Sequence, residues 1–150
     1  MKNFWKLLVV TLCLALLAGC GGGGGGGGII ITGTVVAGRV VDLDALTGVQ
    51  GIGVQLFDNA GNLVGSATTD VNGAYSIQPS ATPTRIHLLN SSINAGFYRE
   101  YRFRGLWYLP SQSTCRAPLP PITSGVTNTL VDIFLPNAAG PPPPPPNGCS

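Results

Sequence analysis

The chain has 150 residues, of which only 9% are charged; eight Lys and Arg stand against six Asp and Glu, a formal net charge of +2. Glycine (22) and proline (13) are abundant, while one histidine and four cysteines leave few groups for catalysis. That length, less its low-complexity ends, holds one domain with one core. A balance this close to neutral excludes the basic surface that nucleic-acid binding needs, so no nucleic-acid partner is expected.

Met1 to Lys6 carries two lysines and no acid, and Leu7 to Gly19 is apolar apart from Thr11. A charged start followed by a short apolar run is the pattern of a secretory signal, and the run falls short of the roughly 20 residues that span a bilayer. It ends in Leu17-Ala18-Gly19-Cys20. This tetrapeptide resembles the bacterial lipoprotein signal, in which small residues precede a cysteine that is lipidated on its thiol and becomes the mature N-terminus. The resemblance implies a signal peptide over 1–19, lipidation at Cys20, and a membrane-anchored lipoprotein of the cell envelope. The periplasmic and the extracellular face both stay open. Several acyl chains hold a protein stably where one holds it marginally. Cleavage removes Lys2 and Lys6, the only lysines, and leaves six arginines against six acids. The mature chain is then neutral.

Residues 20–32 form a tether built on Gly21 to Gly28. Glycine loses the most backbone entropy on ordering, so eight in a row are expected to span about 15–17 Å as a flexible coil. Residues 33–136 read differently, as β-branched runs broken by Gly, Asn and Asp. Gly33 to Leu43 is a first strand, expected to kink or bulge at Gly38. Gly53 to Asp58 alternates Val54 and Leu56 against Gln55 and Phe57; Asn59 to Asn62 turns the chain, and Leu63 to Asp70 returns. Val71 to Gly73 turns again before Ala74 to Pro79. Thr84 to Asn90, Tyr98 to Leu109 and Asn128 to Pro136 complete about seven strands. Short strands at this spacing predict an all-β fold, a single β-sandwich. Residues 137–150 are a proline-rich tail, with Pro141 to Pro146 expected as polyproline II about 19 Å long.

Gly38 to Ile77 resembles the carboxypeptidase regulatory-like domain, a transthyretin-like (prealbumin-like) Greek-key sandwich. The matching residues are Gly38-Arg39-Val40-Val41, Thr47-Gly48, Gly51-Ile52-Gly53-Val54, and the T-D-x-x-G-x-[YF] hairpin at Thr69, Asp70, Gly73 and Tyr75. In that hairpin Asp70 is expected to accept turn amides, Gly73 to adopt positive φ, and Tyr75 to enter the core. Thr129 to Pro136 fits the family's last strand, and Phe97 to Val126 departs from it by insertion.

A catalytic constellation is not apparent. His87 is the single histidine and has no partner in the sequence. Transthyretin-like hydrolases use several histidines, and ring-cleaving dioxygenases of similar shape bind iron through two tyrosines and two histidines, which this chain cannot supply. A lysine–asparagine crosslink is excluded once the leader is gone. Asp42, Asp44, Asp58, Asp70 and Asp132 are scattered, without the spacing of a calcium loop. No metal, no cofactor and no enzymatic activity are expected.

With Cys13 cleaved away and Cys20 lipidated, Cys115 and Cys149 remain as a candidate disulfide in an oxidising compartment. The alternatives are two free thiols, or Cys149 reaching another molecule. A bridge would pin the proline tail to the domain. Finally, Phe97 to Tyr108 holds six of the nine mature aromatics and three of the six arginines. Read as one strand, it places Phe97, Tyr101, Phe103 and Trp107 on a face that belongs to the core, and Tyr98, Glu100, Arg102 and Arg104 on the other. Arg102, Arg104, Trp107 and Tyr108 are the ligand-binding candidates, for sugar rings or a partner's acidic groups. Two functions follow: a non-catalytic structural, adhesive or protein-contact module, and a carbohydrate- or peptide-binding module. An envelope protein or a glycan is the expected partner, and the oligomeric state stays open.

Overall fold

The computed structural model describes residues 33–149. The leader, Cys20 and the glycine tether lie outside the described residues. Ten strands form two sheets, a β-sandwich without α-helix among the described residues. The strands are β1 (Val35–Asp42), β2 (Gly53–Phe57), β3 (Leu63–Thr68), β4 (Ala74–Ile77), β5 (Arg85–Leu88), β6 (Tyr101–Phe103), β7 (Leu106–Tyr108), β8 (Ala117–Pro118), β9 (Thr127–Thr129) and β10 (Ile133–Leu135). One sheet runs β4-β1-β10-β6-β7, with β9 also paired to β1; the other runs β3-β2-β5-β8.

The first five strands arise where alternation predicts them. Val54 and Leu56 of β2, and Ile86 and Leu88 of β5, are fully buried, while Gln55 and Arg85 stand outside. They face Val36, Val40, Tyr101, Phe103, Ile133 and Leu135 of the larger sheet across one core. Each large apolar side chain removed from water in this way stabilises by roughly 1.5–3 kcal/mol. β1 lies inside its sheet, antiparallel to β4 and parallel to both β9 and β10.

The hairpin motif has the geometry its residues imply. Asp70 Oδ1 accepts the N–H groups of Asn72 (2.8 Å) and Ala74 (2.9 Å). Gly73 has φ +72°, and a Cβ there would stand 2.2 Å from the Val40 carbonyl oxygen. The buried Thr69 hydroxyl donates to the Val49 carbonyl (2.7 Å) and accepts from the Ile52 N–H (2.9 Å), which ties the hairpin to the chain entering β2.

Three expectations need correction. Gly38 does not mark a bulge: its register with Tyr75 is continuous, and the β2–β3 ladder shifts at Leu56/Phe57 instead. Gly38 serves to admit Tyr75, whose hydroxyl would stand 2.5 Å from a Cβ at that position. Asn128 to Pro136 is two strands, because Leu130 to Asp132 separates the segment that pairs with Val35–Ala37 from the one that pairs with Val40–Asp42. Tyr98 to Leu109 is not one strand but the β6–β7 hairpin, with Tyr101, Arg102 and Phe103 opposite Tyr108, Trp107 and Leu106.

Candidate functional site

The β6–β7 turn consists of Arg104 (φ +50°) and Gly105 (φ +84°). Two successive residues of positive φ make a type I′ turn, whose twist matches that of the flanking strands. The turn changes which residues share a face. Because Arg102 stands opposite Trp107, those two side chains lie together on the outer face, while Tyr101 and Tyr108 lie together in the core. Trp107 is therefore not on the face of Tyr101 and Phe103. The outer face carries an aromatic–cation cluster, with the Arg102 guanidinium 4.9 Å from the Phe134 ring centre and 6.0 Å from that of Trp107. Inside, Tyr101 and Tyr108 stack at 5.4 Å, and burial raises both phenol pKa values.

Of the four ligand-binding candidates the structure brings Arg102 and Trp107 together, leaves Arg104 exposed on the turn, and puts Tyr108 in the core. Trp107 is only 8% exposed despite its outward direction. The neighbouring element is the C-terminal segment. Asn147 Oδ1 accepts the Trp107 N–H at 2.8 Å, and the Gly148 N–H donates to the Trp107 carbonyl at 2.9 Å. Cys149 and Cys115 are joined in a disulfide, with their Cα atoms 4.6 Å apart and a sequence separation of 34. The tail is also fixed where it begins, by the Ala138 N–H to the Gly96 carbonyl (2.9 Å), the Tyr98 hydroxyl to the Gly140 carbonyl (3.1 Å), and the Asn137 amide to Asp42 Oδ2 (3.1 Å). Between these points Pro143 and Pro146 are half-buried and Pro141, Pro142, Pro144 and Pro145 are exposed. That three-residue period is the repeat of polyproline II.

A second cluster lies on the outer side of the smaller sheet. His87 is 6% exposed, and its Nε2 donates to the Pro110 carbonyl at 3.3 Å. Burial lowers its pKa, helped by the Arg116 charge and opposed by the Pro110 and Cys115 carbonyls, the latter outside hydrogen-bonding geometry. The Arg116 guanidinium lies 3.6 Å from the Phe57 ring centre and donates through Nη1 to the Gly61 carbonyl at 3.1 Å. His87, Asn90 and Arg116 line a cavity of about 430 Å³ with Gln55, Ser91, Ser111 and Ser113. Nothing in the sequence marks Asn90. The adjacency of Arg116 to Cys115 was the one available signal, since a disulfide fixes its neighbour's backbone. Among the described residues no three His, Cys, Asp or Glu side chains gather as a metal site.

No family model matches this chain, and no curated protein matches it. Among solved structures it is similar to a 9R-lipoxygenase from Cyanothece PCC8801, with 14% identity and a TM-score of 0.40 over 82% of this chain. The match spans 20% of the lipoxygenase, and a likeness of this size carries no argument about function.

Proposed function

We propose that this protein is a non-catalytic, lipid-anchored lipoprotein of the cell envelope that displays one β-sandwich as a structural or protein-contact module. The anchor rests on the Leu17-Ala18-Gly19-Cys20 junction. The carboxypeptidase regulatory-like reading is supported by the roles that Thr69, Asp70, Gly73 and Tyr75 take in their hairpin.

The observation that carries the contact reading is the end of β1 remote from the tether. The loop after β1 and the β3–β4 loop meet there, since Gly48 packs against the Asn72 carbonyl and Val40 N–H bonds the Gly73 carbonyl at 2.8 Å. These adjoining loops expose Leu46 by 66% and Val71 by 69%, the highest values among the exposed large apolar side chains. Apolar side chains at loop tips are what a contact surface uses. The near-complete burial of Trp107 also supports a contact module over a sugar-stacking site on residues 97–108.

Two measurements test this. Cells fed labelled palmitate should label the wild type and not Cys20→Ala; label persisting in the variant sinks the anchor. A photo-crosslinker at Leu46 or Val71 should yield envelope adducts that one at Leu63 does not. Equal yields at the three positions remove the contact reading.

A further inference from the structure

The hexaproline tail presents a surface that the sheet edge and the loops at Leu46 and Val71 leave unused. Proline fixes its own φ, and each residue from Pro141 to Pro145 also precedes a proline, which confines it to extended backbone. Polyproline II satisfies both constraints, and its three residues per turn give the segment three ridges. Pro143 and Pro146 are half-buried and form the ridge turned toward the domain. Pro141 with Pro144, and Pro142 with Pro145, form two exposed ridges. Each pairs prolines about 9 Å apart, three residues at a rise of about 3.1 Å.

These ridges are held at both ends. The Tyr98 hydroxyl donates to the Gly140 carbonyl at 3.1 Å before them, and Asn147, Gly148 and the Cys115–Cys149 disulfide fix the chain after them. Holding the tail needs only those end groups and enough chain to join them. Apolar rings at four outward positions add nothing to it. A polyproline II segment that is already formed is what aromatic-lined grooves recognise, because little conformational freedom remains to be lost on binding.

The composition of the tail narrows the chemistry of its partner. Residues 136–149 include no charged side chain, so the matching groove needs no charge. Proline rings give apolar faces for stacking, and polyproline II leaves its carbonyls without internal hydrogen bonds, open to an indole or phenol donor. No aromatic side chain is exposed among the described residues, so a second copy of this chain offers no such groove.

We infer that the two exposed ridges of Pro141 to Pro146 are a docking element for a different protein, one with an uncharged groove lined by aromatic side chains. This contact is separate from the loops bearing Leu46 and Val71 and independent of the lipid anchor, so either can fail without the other.

Calorimetric titration of the full chain, disulfide intact, tests it with a purified WW domain of the kind that takes uninterrupted proline runs. The domain should bind saturably, and the same domain with its groove tryptophan replaced by alanine should bind at least about tenfold more weakly. Serine at all four outward positions (Pro141→Ser, Pro142→Ser, Pro144→Ser and Pro145→Ser) should also weaken binding at least about tenfold, whereas Pro143→Ser with Pro146→Ser should stay within about threefold of the wild type. Cys149→Ser frees one end of the tail, so ordering falls on the binding step and affinity should drop about three- to tenfold. If the proline variants unseat the tail, seen as a shift in Trp107 emission, the wild-type titration against the two forms of the WW domain decides alone. Absence of saturable binding would mean that the domain masks the ridges, and overturns the inference. Equal binding by the alanine form of the groove overturns it, as does an inward pair that costs as much as the outward four. Binding by Cys149→Ser as tight as the wild type, or tighter, would mean that the tail docks only when released, and overturns docking of the held ridges. Self-association of the wild type that the four-serine variant loses would assign the ridges to a second copy, against the inference.

Discussion

Asn147 Oδ1 accepts the backbone N–H of Trp107 at 2.8 Å, across a sequence separation of 40 residues. With the Gly148 N–H on the carbonyl of the same tryptophan, it makes the C-terminal segment the neighbour of β7, the last strand of the larger sheet. An uncovered sheet edge presents unpaired backbone groups and invites association with other chains. Here the tail occupies part of that edge, and the Cys115–Cys149 disulfide holds it there.

Breaking the bridge should therefore do more than lower stability. Closing a loop with 34 residues of separation is worth roughly 3–4 kcal/mol in the chain-entropy model. Cys149→Ser should lower the unfolding free energy by about that amount in a denaturant titration. It should also shift the emission of Trp107 to longer wavelength, Trp107 being the only tryptophan outside residues 1–19. Unchanged emission in the variant would show that the tail does not depend on the bridge for its place.

Arg104 holds a backbone conformation that side chains disfavour, with φ +50° in a type I′ turn. Asparagine tolerates that region better. Arg104→Asn should stabilise the domain by about 0.5–1 kcal/mol, measured by thermal unfolding. A lower melting temperature would mean that the exposed guanidinium contributes more than the strain costs.

Tyr75 and Gly38 form a size-matched pair. The Tyr75 hydroxyl is buried without a partner among the described residues, and burial raises its pKa. Tyr75→Phe removes a group that gains nothing inside, so its effect on stability should lie within about 1 kcal/mol of zero. Gly38→Ala drives a Cβ against the ring and should cost about 1–3 kcal/mol. In a Tyr75→Val background that cost should shrink by at least about 1 kcal/mol, and simple additivity in the double-mutant cycle would refute the packing account.

His87 makes stability depend on pH. Its folded pKa is lowered, chiefly by burial, from 6.5. Below pH 6.5 the unfolded chain takes up a proton that the folded chain refuses, so acid favours unfolding until the folded pKa is reached. The melting temperature should fall from pH 7 toward pH 5, and His87→Gln should flatten that slope. A slope equal in both proteins would place the titration elsewhere. Asp42 has the same sense of shift in a lower window. Burial raises its pKa, but hydrogen bonds from Ala45, Asn137 and Asp44 together hold it below 3.8, so its stabilisation is lost only as pH falls beneath that value.

Much of this fold is legible from the residues in order. The alternation of Val54 and Leu56 with Gln55, and the turn chemistry of Asp70 and Gly73, are local: a strand's period is two, and glycine alone enters positive φ freely. Those facts suffice for strands β1 to β5 and the all-β class, and they would hold in any tertiary setting. The cysteine arithmetic was similarly readable, though it left the pairing of Cys115 with Cys149 as one of several choices.

What local pattern could not decide is everything that depends on a partner far away in the chain. An arginine rarely adopts positive φ, so nothing announced a two-residue turn at Arg104-Gly105. That turn alone moves Trp107 to the outer face and Tyr108 into the core. The same holds for the cavity, where His87, Asn90 and Arg116 meet only because the chain from Pro110 to Cys115 folds back over β5 and is held there by the disulfide. Periodicity assigns a side chain to one face or the other. Which side chains share that face, and which of their polar atoms go unpaired, is set by strand register and a crosslink, both of which exist only in the folded molecule.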